Sequence, residues 1–238
     1  MIIGIDLGGM SAKAALLAGE KLEGKSRVET SAANTAEQTA LALAHLAMET
    51  AEKAGKSMED VQAIGIGSPG VVDSANGNIV LWSNFHWKDV PLGALVEKYT
   101  GKKTFVTNDA NAAALGEARF GAAKQFSDSI LITLGTGIGG GIIIGGKLFE
   151  GYRSAGTEVG HMVIRQDGEL CTCGRKGCFE RYASAGALIR LTQAEMANDR
   201  SSAMWKYAPT VEKADGRTVF LALKEGDAAA KKVLDTYI

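Results

Sequence analysis

Two patterns of apolar residues alternate along this chain and predict its secondary structure. Long segments repeat apolar residues every three or four positions, which indicates amphipathic helices over residues 34–55, 91–101 and 109–121. Short, nearly uninterrupted apolar runs predict strands at residues 1–6, 11–18, 61–67, 103–107, 129–135 and 141–146. The last third of the chain has a mainly helical pattern. Strands that alternate with helices indicate an α/β protein.

Short polar motifs mark the ends of the predicted helices. Thr35 and Gln38 have the spacing of a capping box, in which each side chain bonds the other residue's backbone N–H. Gly55 ends the same helix. Pro91 occupies the first turn of the next helix, and Gly101 follows its last turn.

Two segments of the chain resemble each other, and this similarity is called the internal echo below. Residues 3–17 (IGIDLGGMSAKAALL) and residues 131–145 (LITLGTGIGGGIIIG) each predict a strand, a glycine turn and a strand of small residues. Glycine hairpins are common, so the echo alone leaves open either chance or two related halves whose glycine turns face each other across a cleft. The second interpretation predicts an N-terminal α/β domain over residues 1–120 and a C-terminal α/β domain over residues 121–238.

Composition and charge exclude several classes of protein. The chain is 46% hydrophobic but only 6% aromatic, so its core must be built mainly from aliphatic side chains. A formal net charge of −1, without long charged runs, gives no electrostatic reason to expect nucleic acid or an anionic membrane surface as a partner. No apolar run reaches the roughly 18 residues that span a bilayer. The first residues, MIIGIDLGG, lack the basic segment of a signal peptide, which predicts a cytoplasmic protein.

Both glycine turns suit phosphate oxygens, because glycine lets several backbone N–H groups converge on one anion. The second turn, GTGIGGG (residues 135–141), is neither a Walker loop, since no G-K-[ST] follows, nor a Rossmann loop, since a strand comes next. A tight hairpin without a ligand is the alternative. If the second turn binds phosphate, the candidate ligands are Gly135, Thr136, Gly137 and Gly139.

The first turn, DLGGMSAK (residues 6–13), adds two charged side chains. Asp6 could bind magnesium or a magnesium-bound water, and Lys13 could contact a phosphate, although a lysine on a strand is commonly just solvated. Two turns of this kind in one chain favour nucleotide phosphate binding. The candidate residues here are Asp6, Gly8, Gly9, Met10 and Lys13.

Asn108 and Asp109 lie where a predicted strand ends and a helix begins, the edge at which α/β sheets bind ligands. Either residue could simply cap the helix. Asp109 could instead accept the proton of a substrate hydroxyl during phosphoryl transfer, with Asn108 orienting that hydroxyl. The dipeptide alone does not decide between these roles.

All three cysteines of the chain fall within eight positions. His161, Cys171, Cys173 and Cys178 follow the order H-x9-C-x-C-x4-C, and three thiolates with one imidazole complete a tetrahedral zinc set. Because no coordination position is left for water, the predicted zinc is structural. In a cytoplasmic protein, clustered thiols indicate metal binding rather than disulfides. Three buried or incidental thiols are the alternative.

Acidic residues flank this cluster. Glu158 precedes His161 by three positions and Glu180 follows Cys178 by two. Carboxylates fixed on a metal-bound loop accept hydrogen bonds from hydroxyl groups, so the pattern predicts a pocket for a sugar or another polyol. Two solvated glutamates are the alternative.

These motifs together resemble the ROK family of sugar kinases and sugar-responsive regulators, and most closely its bacterial glucokinases. The resemblance runs from residue 1 to about residue 190 in unbroken order. It rests on GIDLGG, GIGSPGVVD, NDANAAALGE, GTGIGGGIIIGGKLFEG, GTEVGHM and CTCGRKGCFE, of which the last two are the most specific.

The resemblance implies an actin-like ATPase fold, a duplicated ribonuclease H-like arrangement with two domains around a cleft that holds the sugar. It implies ATP-dependent phosphorylation of a hexose, with magnesium used alongside the nucleotide and zinc bound structurally. By matching positions, Asp109 is the base on the sugar 6-hydroxyl, and the two glycine turns bind the ATP phosphates. The implied sugar ligands are Gly70, Asn108, Asp109, Glu158, His161 and Glu180. The resemblance to this family also implies a homodimer.

Two departures from the family pattern bear on the nucleotide. Met10 stands where the family has a threonine whose hydroxyl meets phosphate. Family members also continue beyond the position of Ile238, so the resemblance predicts a truncated C-terminal domain. Two other functions stay open: a sugar-sensing regulator, which needs a DNA-binding segment ahead of the first strand, and a non-catalytic sugar-binding protein.

Overall fold

The computed structural model describes residues 1–238, apart from the side chain of Arg153. The chain forms two compact units. One comprises Met1–Leu131 with Gly141–Thr157, and the other comprises Ile132–Gly140 with Glu158–Ile238. The division at residue 120 stays a prediction. The compact units have other bounds, because residues 121–131 and 141–157 belong to the first unit.

A five-stranded sheet organises the first unit. Its order is β3-β2-β1-β4-β8, with β1 antiparallel to β2 on one side and parallel to β4 on the other. The strands are β1 (Ile2–Leu7), β2 (Ser11–Ala18), β3 (Lys21–Glu29), β4 (Ala63–Ser68) and β8 (Lys103–Asn108). The four strands predicted in this region from their apolar runs are confirmed, and β3 was missed because its sequence, KLEGKSRVE, is mostly polar.

Helices pack on one face of this sheet, and the other face lines a groove. Alternate residues of β1, such as Ile3 and Leu7, are buried in a core shared with Leu43 of α1 (Ala36–Lys53). The predicted Thr35–Gln38 capping box of α1 is present. The α2 helix (Leu92–Thr100) packs beside α1, and Gly101 ends it in the left-handed conformation, φ +66°.

The opposite face of the sheet lines a groove of about 1230 Å³. Its floor is made of small residues, because Gly4 of β1 pairs with Ala15 of β2 and Gly65 of β4. Asp6 and Lys13 are register partners across β1 and β2 and line the same groove. The face therefore combines an apolar floor with charged groups at the carboxyl end of β1.

A small antiparallel sheet follows β4 and comprises β5 (Val71–Asp73), β6 (Asn78–Trp82) and β7 (Trp87–Val90). Trp82 stacks on Phe85 with ring centroids 3.8 Å apart, and Trp87 meets both rings edge-on. These aromatic contacts hold the small sheet together and continue the core of the five-stranded sheet. Sequence patterns did not predict the small sheet, because its strands are only three to five residues long.

The next elements are α3 (Asp109–Phe120) and a three-stranded sheet in the order β11-β10-β9. Its strands are β9 (Ser129–Leu134), β10 (Ile138–Ile144) and β11 (Lys147–Phe149). Within the first unit, a side chain at Gly141 would lie 2.7 Å from the Ala110 carbonyl oxygen, so glycine lets β10 approach α3 closely. The predicted glycine turn over residues 135–141 is shorter in the structure, because β10 already begins at Ile138.

Helices build the rest of the second unit, as predicted for the last third of the chain. They are α4 (Glu180–Ala183), α5 (Ala185–Asn198), α6 (Met204–Tyr207), α7 (Thr218–Lys224) and α8 (Ala228–Tyr237). Their apolar faces meet in a second core that includes Met196, Met204 and Val233. In the part of the chain that the structure describes, no helix is both long and apolar enough to cross a membrane.

Candidate functional site

The junction of β8 and α3 is held by Asn108. Its Oδ1 accepts hydrogen bonds from the backbone N–H groups of Ala110, at 2.9 Å, and Asn111, at 3.3 Å, so Asn108 is the N-cap of α3. Its Nδ2 donates to the carbonyl oxygen of Gly70 at 3.1 Å. The open choice between Asn108 and Asp109 as the capping residue is thus decided in favour of Asn108.

Asp109 begins α3 and keeps an accessible carboxyl group. One carboxyl oxygen accepts a 2.8 Å hydrogen bond from the Ala110 N–H. The pKa of Asp109 is nevertheless raised above its ordinary value, first because surrounding protein partly desolvates the carboxyl and then because Asp6 adds a like charge. An exposed carboxylate with a raised pKa is a suitable proton acceptor for a hydroxyl substrate.

The first glycine turn, between β1 and β2, is fixed by a residue that the sequence did not indicate. The Thr30 hydroxyl donates to the Gly8 carbonyl oxygen at 2.7 Å, and the Thr30 N–H donates to the Met10 carbonyl oxygen at 3.1 Å. The Gly8 N–H is used within the turn, where it donates to Ser11 O at 3.0 Å. The Met10 side chain is 84% exposed, so a thioether is displayed at the tip of this turn.

The second glycine turn, residues 135–137, is bonded on several sides within its own unit. The Gly135 N–H donates to Gly137 O at 2.9 Å, and Gly135 O accepts from the Ala185 N–H at 2.8 Å. The Ile138 N–H donates to a Glu180 carboxylate oxygen at 2.9 Å. Thr136 is exposed at the tip. Hydrogen bonds from Glu180 and Ala185 therefore hold the turn between β9 and β10 in place.

His161, Cys171, Cys173 and Cys178 come together with all four ligand atoms within 4.8 Å of one another. Cys173 Sγ lies 3.6 Å from Cys178 Sγ, and Cys171 Sγ lies 3.6 Å from His161 Nδ1. Tetrahedral zinc with its usual bond lengths separates neighbouring ligand atoms by about 3.6–3.8 Å. The donor set and its spacing therefore fit one zinc ion, bound through Nδ1 of His161.

Glycines give the loop that carries the thiols its tight bends. Gly174 and Gly177 adopt φ +85° and +79°, and a side chain at Gly177 would overlap the Arg165 carbonyl oxygen. A backbone hydrogen bond from Arg175 lowers the pKa of Cys173 to about 6, which favours the thiolate that zinc requires. Burial raises the pKa of Cys178 to about 11, so that thiol needs a cation to lose its proton near neutral pH.

Two carboxylates lie close to the cluster in the sequence, Glu158 and Glu180. Glu158 Oε2 lies 3.9 Å from Nε2 of His161, the ring nitrogen that faces away from the thiol. This distance is too long for a direct hydrogen bond, and it leaves both atoms able to contact one hydroxyl oxygen. Glu180 begins α4, where one of its carboxylate oxygens already accepts the Ile138 N–H.

The predicted site residues fall into two groups, one in each compact unit. The first unit holds Asp6, Gly8, Gly9, Met10, Lys13, Gly70, Asn108 and Asp109. The second unit holds Gly135, Thr136, Gly137, Gly139, Glu158, His161, Cys171, Cys173, Cys178 and Glu180. Within the first unit the structure joins Gly70 to Asn108, and within the second it assembles the Cys/His cluster and joins Glu180 to the glycine turn.

Three comparisons with known proteins indicate the same family. The ROK family model matches residues 2–238. A glucokinase from Thermotoga maritima is 38% identical over 239 residues, which cover 100% of this chain and 74% of that protein. The crystal structure of a ROK family glucokinase from Streptomyces griseus, in complex with glucose and AMPPNP, is 37% identical with a TM-score of 0.80, over 98% of this chain and 73% of that one.

A regulator is also among the similar structures. A ROK family transcriptional regulator, a homologue of the E. coli MLC protein, is 27% identical with a TM-score of 0.83, over 98% of this chain and 58% of that one. Kinases and regulators of the family therefore share the fold of this chain, which is the actin-like ATPase fold predicted from the resemblance.

Proposed function

Because this chain belongs to the ROK family, we propose that it is an ATP-dependent hexose kinase that phosphorylates the 6-hydroxyl of glucose. The observation that carries this proposal is Asp109, an accessible carboxylate with a raised pKa at the start of α3, held in place by the Asn108 cap. The similarity to glucokinases over almost the whole chain supports the substrate class.

In the proposed reaction, the sugar 6-hydroxyl oxygen forms a bond to the γ-phosphorus of ATP. The bond between that phosphorus and the β–γ bridging oxygen breaks, and ADP leaves with its electron pair. The hydroxyl proton passes to the Asp109 carboxylate. In phosphoryl transfer, positioning and charge neutralisation supply most of the rate, so Asp109 acts late, as the oxygen becomes acidic.

The remaining sugar contacts are assigned by position in the family motifs. Asn108 offers both a donor and an acceptor, and its bond to Gly70 fixes the amide orientation, with Nδ2 toward the Gly70 carbonyl. Glu158 and Nε2 of His161 together provide an acceptor and a donor for one hydroxyl. Glu180 supplies the carboxylate oxygen that its bond to Ile138 leaves available. We assign Gly70 backbone groups to the same task.

Zinc in the Cys171–Cys173–Cys178–His161 set has a structural role in this proposal. It closes the loop between His161 and Glu180 and neutralises the charge of the thiolates. With its Nδ1 bound, His161 keeps its second N–H directed at the side occupied by Glu158, so ring tautomer and orientation are both fixed.

The nucleotide phosphates are assigned to the two glycine turns, residues 8–10 and 135–139, with Asp6 and Lys13 beside the first. Magnesium would neutralise the phosphate charge when bound with ATP, and Asp6 is the residue we assign to it or to its water shell. Thr30 holds the first turn in shape through Gly8 and Met10.

A sugar-sensing regulator is the second candidate, favoured by the similarity to a ROK family transcriptional regulator. A non-catalytic sugar-binding protein is the third. Sugar binding without phosphoryl transfer would distinguish both from the kinase. We further propose a cytoplasmic homodimer that acts in glycolysis and does not bind nucleic acid; the net charge of −1 supports the last point.

A coupled ATP-consumption assay on the 238-residue chain, with glucose, mannose, allose, fructose and N-acetylmannosamine, tests the proposal. The expected result is turnover with glucose as the best substrate. Calorimetric titration of each sugar without nucleotide runs in parallel. Sugar binding with no phosphorylated product would contradict the kinase assignment, and no binding of any sugar would contradict the site assignment as well.

A further inference from the structure

The backbone at Ile138, directly after the second glycine turn, is held on two sides by neighbours of the metal ligands. Its N–H donates at 2.9 Å to the carboxylate of Glu180, which lies two residues after Cys178. Ile138 is only 6% exposed and Glu180 is half-buried, so the Ile138 N–H has little access to water as an alternative partner in this charge-assisted hydrogen bond. A buried N–H that lost this partner would remain unsatisfied, and the turn would shift to find another.

Gly160 contacts the other side of Ile138. It precedes His161, and it is buried. A side chain at Gly160 would overlap the Ile138 carbonyl oxygen, so the backbones are in direct contact there. Two of the four ligand positions are therefore linked to Ile138: Gly160, which precedes His161, packs on it, and Glu180, which follows Cys178, accepts its N–H.

The glycine turn itself also contacts the segment that follows Cys178. A side chain at Gly137 would lie 3.1 Å from the Glu180 carboxyl carbon. Past α4, the Ala185 N–H donates to Gly135 O at 2.8 Å. The short segment from Cys178 to Ala185 therefore bonds both ends of the turn, at Gly135 and at Ile138.

We propose that Glu180 is a positioning residue for the glycine turn, and that through it metal binding at the Cys/His cluster is coupled to phosphate binding at residues 135–138. The phosphate part of this inference rests on the proposed function, while the mechanical link rests on the contacts alone. Without metal, the segments around His161 and Cys178 lose their common anchor, and the Ile138 N–H loses a fixed acceptor.

Coupling between two binding sites is reciprocal and is commonly worth about fivefold or more in affinity. Zinc therefore strengthens nucleotide binding by that factor, and nucleotide strengthens zinc retention by the same factor. Glu180→Ala removes the link but none of the four metal ligands, so it keeps its zinc and binds nucleotide weakly whether zinc is present or not.

Hydrogen exchange measured by mass spectrometry tests the mechanical link without any need for activity. The zinc-loaded chain is compared with the same chain after chelation. We expect faster exchange in peptides covering residues 135–138 together with the metal loop, while α7 and α8 keep their protection. Unchanged protection of residues 135–138 would overturn the proposal. So would a loss spread equally over α7 and α8, because zinc would then be only a general stabiliser of the unit.

Titration with AMPPNP, with and without zinc, tests the coupling in wild type, Glu180→Ala and Glu180→Gln. Gln keeps an acceptor oxygen for the Ile138 N–H, so this variant should recover much of the wild-type zinc dependence. Glu169→Ala is the matched control, since Glu169 is a carboxylate on the same loop that pairs with Arg181 and Arg190 at the surface. Zinc dependence in Glu180→Ala equal to that of wild type would overturn the proposal.

The two proposals fail in different ways. If the chain binds no AMPPNP but exchange at residues 135–138 follows zinc, the positioning role of Glu180 stands and the kinase function fails. If AMPPNP binds equally with and without zinc, and exchange is also unchanged, the link fails while the kinase function stands. Should Glu180→Ala not fold, hydrogen exchange at residues 135–138 of the wild type, with and without zinc, decides the outcome.

Discussion

The Asn108 side chain donates a hydrogen bond to the Gly70 carbonyl oxygen at 3.1 Å, which joins the end of β8 to the loop after β4. Gly70 adopts φ +89°, a conformation that favours glycine. The same asparagine caps α3. One side chain therefore sets both the loop position and the start of the helix that carries Asp109.

Gly70→Ala should break this arrangement. The new Cβ would lie 3.2 Å from the Trp82 Cα and closer still to the Leu81 carbonyl oxygen, in a backbone conformation that favours glycine. We expect a loss of about 2–4 kcal/mol in the free energy of unfolding, measured with denaturant. Gly4→Ala is the control, because a Cβ added at Gly4 would have no other atom within 4 Å. Equal stability of the two variants would contradict the role given to Gly70.

Asp109→Asn should abolish turnover while leaving sugar affinity almost intact. Asn keeps an oxygen for the Ala110 N–H but cannot take the hydroxyl proton. We expect kcat to fall on the order of 10³-fold and the sugar Kd to change less than about threefold. Asp235→Asn, at an exposed surface ion pair, serves as the control. Comparable losses in kcat and in sugar affinity would assign Asp109 to binding instead.

The pH dependence of kcat/KM should report the raised pKa of Asp109. Desolvation and the charge of Asp6 both favour the protonated carboxyl, so activity is lost on acidification at a pH above the ordinary aspartate value of 3.8. Asp6→Asn removes the like charge and lowers the pKa of Asp109. The acidic limb of the pH profile, where activity is lost, then moves to lower pH. Asp6→Glu keeps the charge and should keep the limb in place; a limb that moves equally in both variants would contradict this electrostatic link.

The same shift has a consequence for stability. An acid whose pKa rises on folding weakens the folded state above its unfolded pKa, and this penalty disappears as the pH falls below that value. Asp109→Asn should therefore raise Tm near pH 7 and have little effect near pH 3. A scan of Tm against pH for both proteins checks the sign, and a lower Tm at neutral pH would contradict it.

Cys173→Ser should release zinc and weaken sugar binding. The lost thiolate leaves three ligands, and the loop that holds Glu158 and His161 loses its anchor. We expect metal analysis to find less than one zinc per chain and sugar affinity to fall on the order of tenfold. Thr172→Ala, in the same loop, is the control and should retain zinc. Unchanged sugar affinity in the metal-free variant would contradict the structural role of zinc.

Met10→Thr should strengthen nucleotide binding. Met10 is 84% exposed at the tip of the first turn, so the substitution removes no packing and places a hydroxyl beside the turn amides. One added hydrogen bond to a charged phosphate is worth about tenfold in affinity. Met10→Val has the shape of threonine without its hydroxyl, and titration of both variants with AMPPNP separates the two properties. Equal affinities would show that the hydroxyl is not the missing contact.

Much of this protein follows from local patterns in its sequence. The apolar runs predicted six strands, since burial on a sheet requires consecutive or alternating apolar residues, and the Thr35–Gln38 spacing predicted the start of α1. The Cys/His cluster was also predicted to come together, because its four residues lie within 18 positions of one another. Short or polar strands, such as β3 and β5–β7, carried no such signal.

Other features depend on contacts between residues that are distant in the chain, which no local pattern encodes. The Gly70–Asn108 bond spans 38 positions and the Ile138–Glu180 bond spans 42. Thr30 supports the first glycine turn from 22 positions away, and nothing in its neighbours distinguishes it from a solvated threonine. The sequence by itself determined which chemical groups are available and where elements begin. Only the tertiary structure decided which of those groups meet, because hydrogen bonds form between atoms that folding, not chain order, brings within reach.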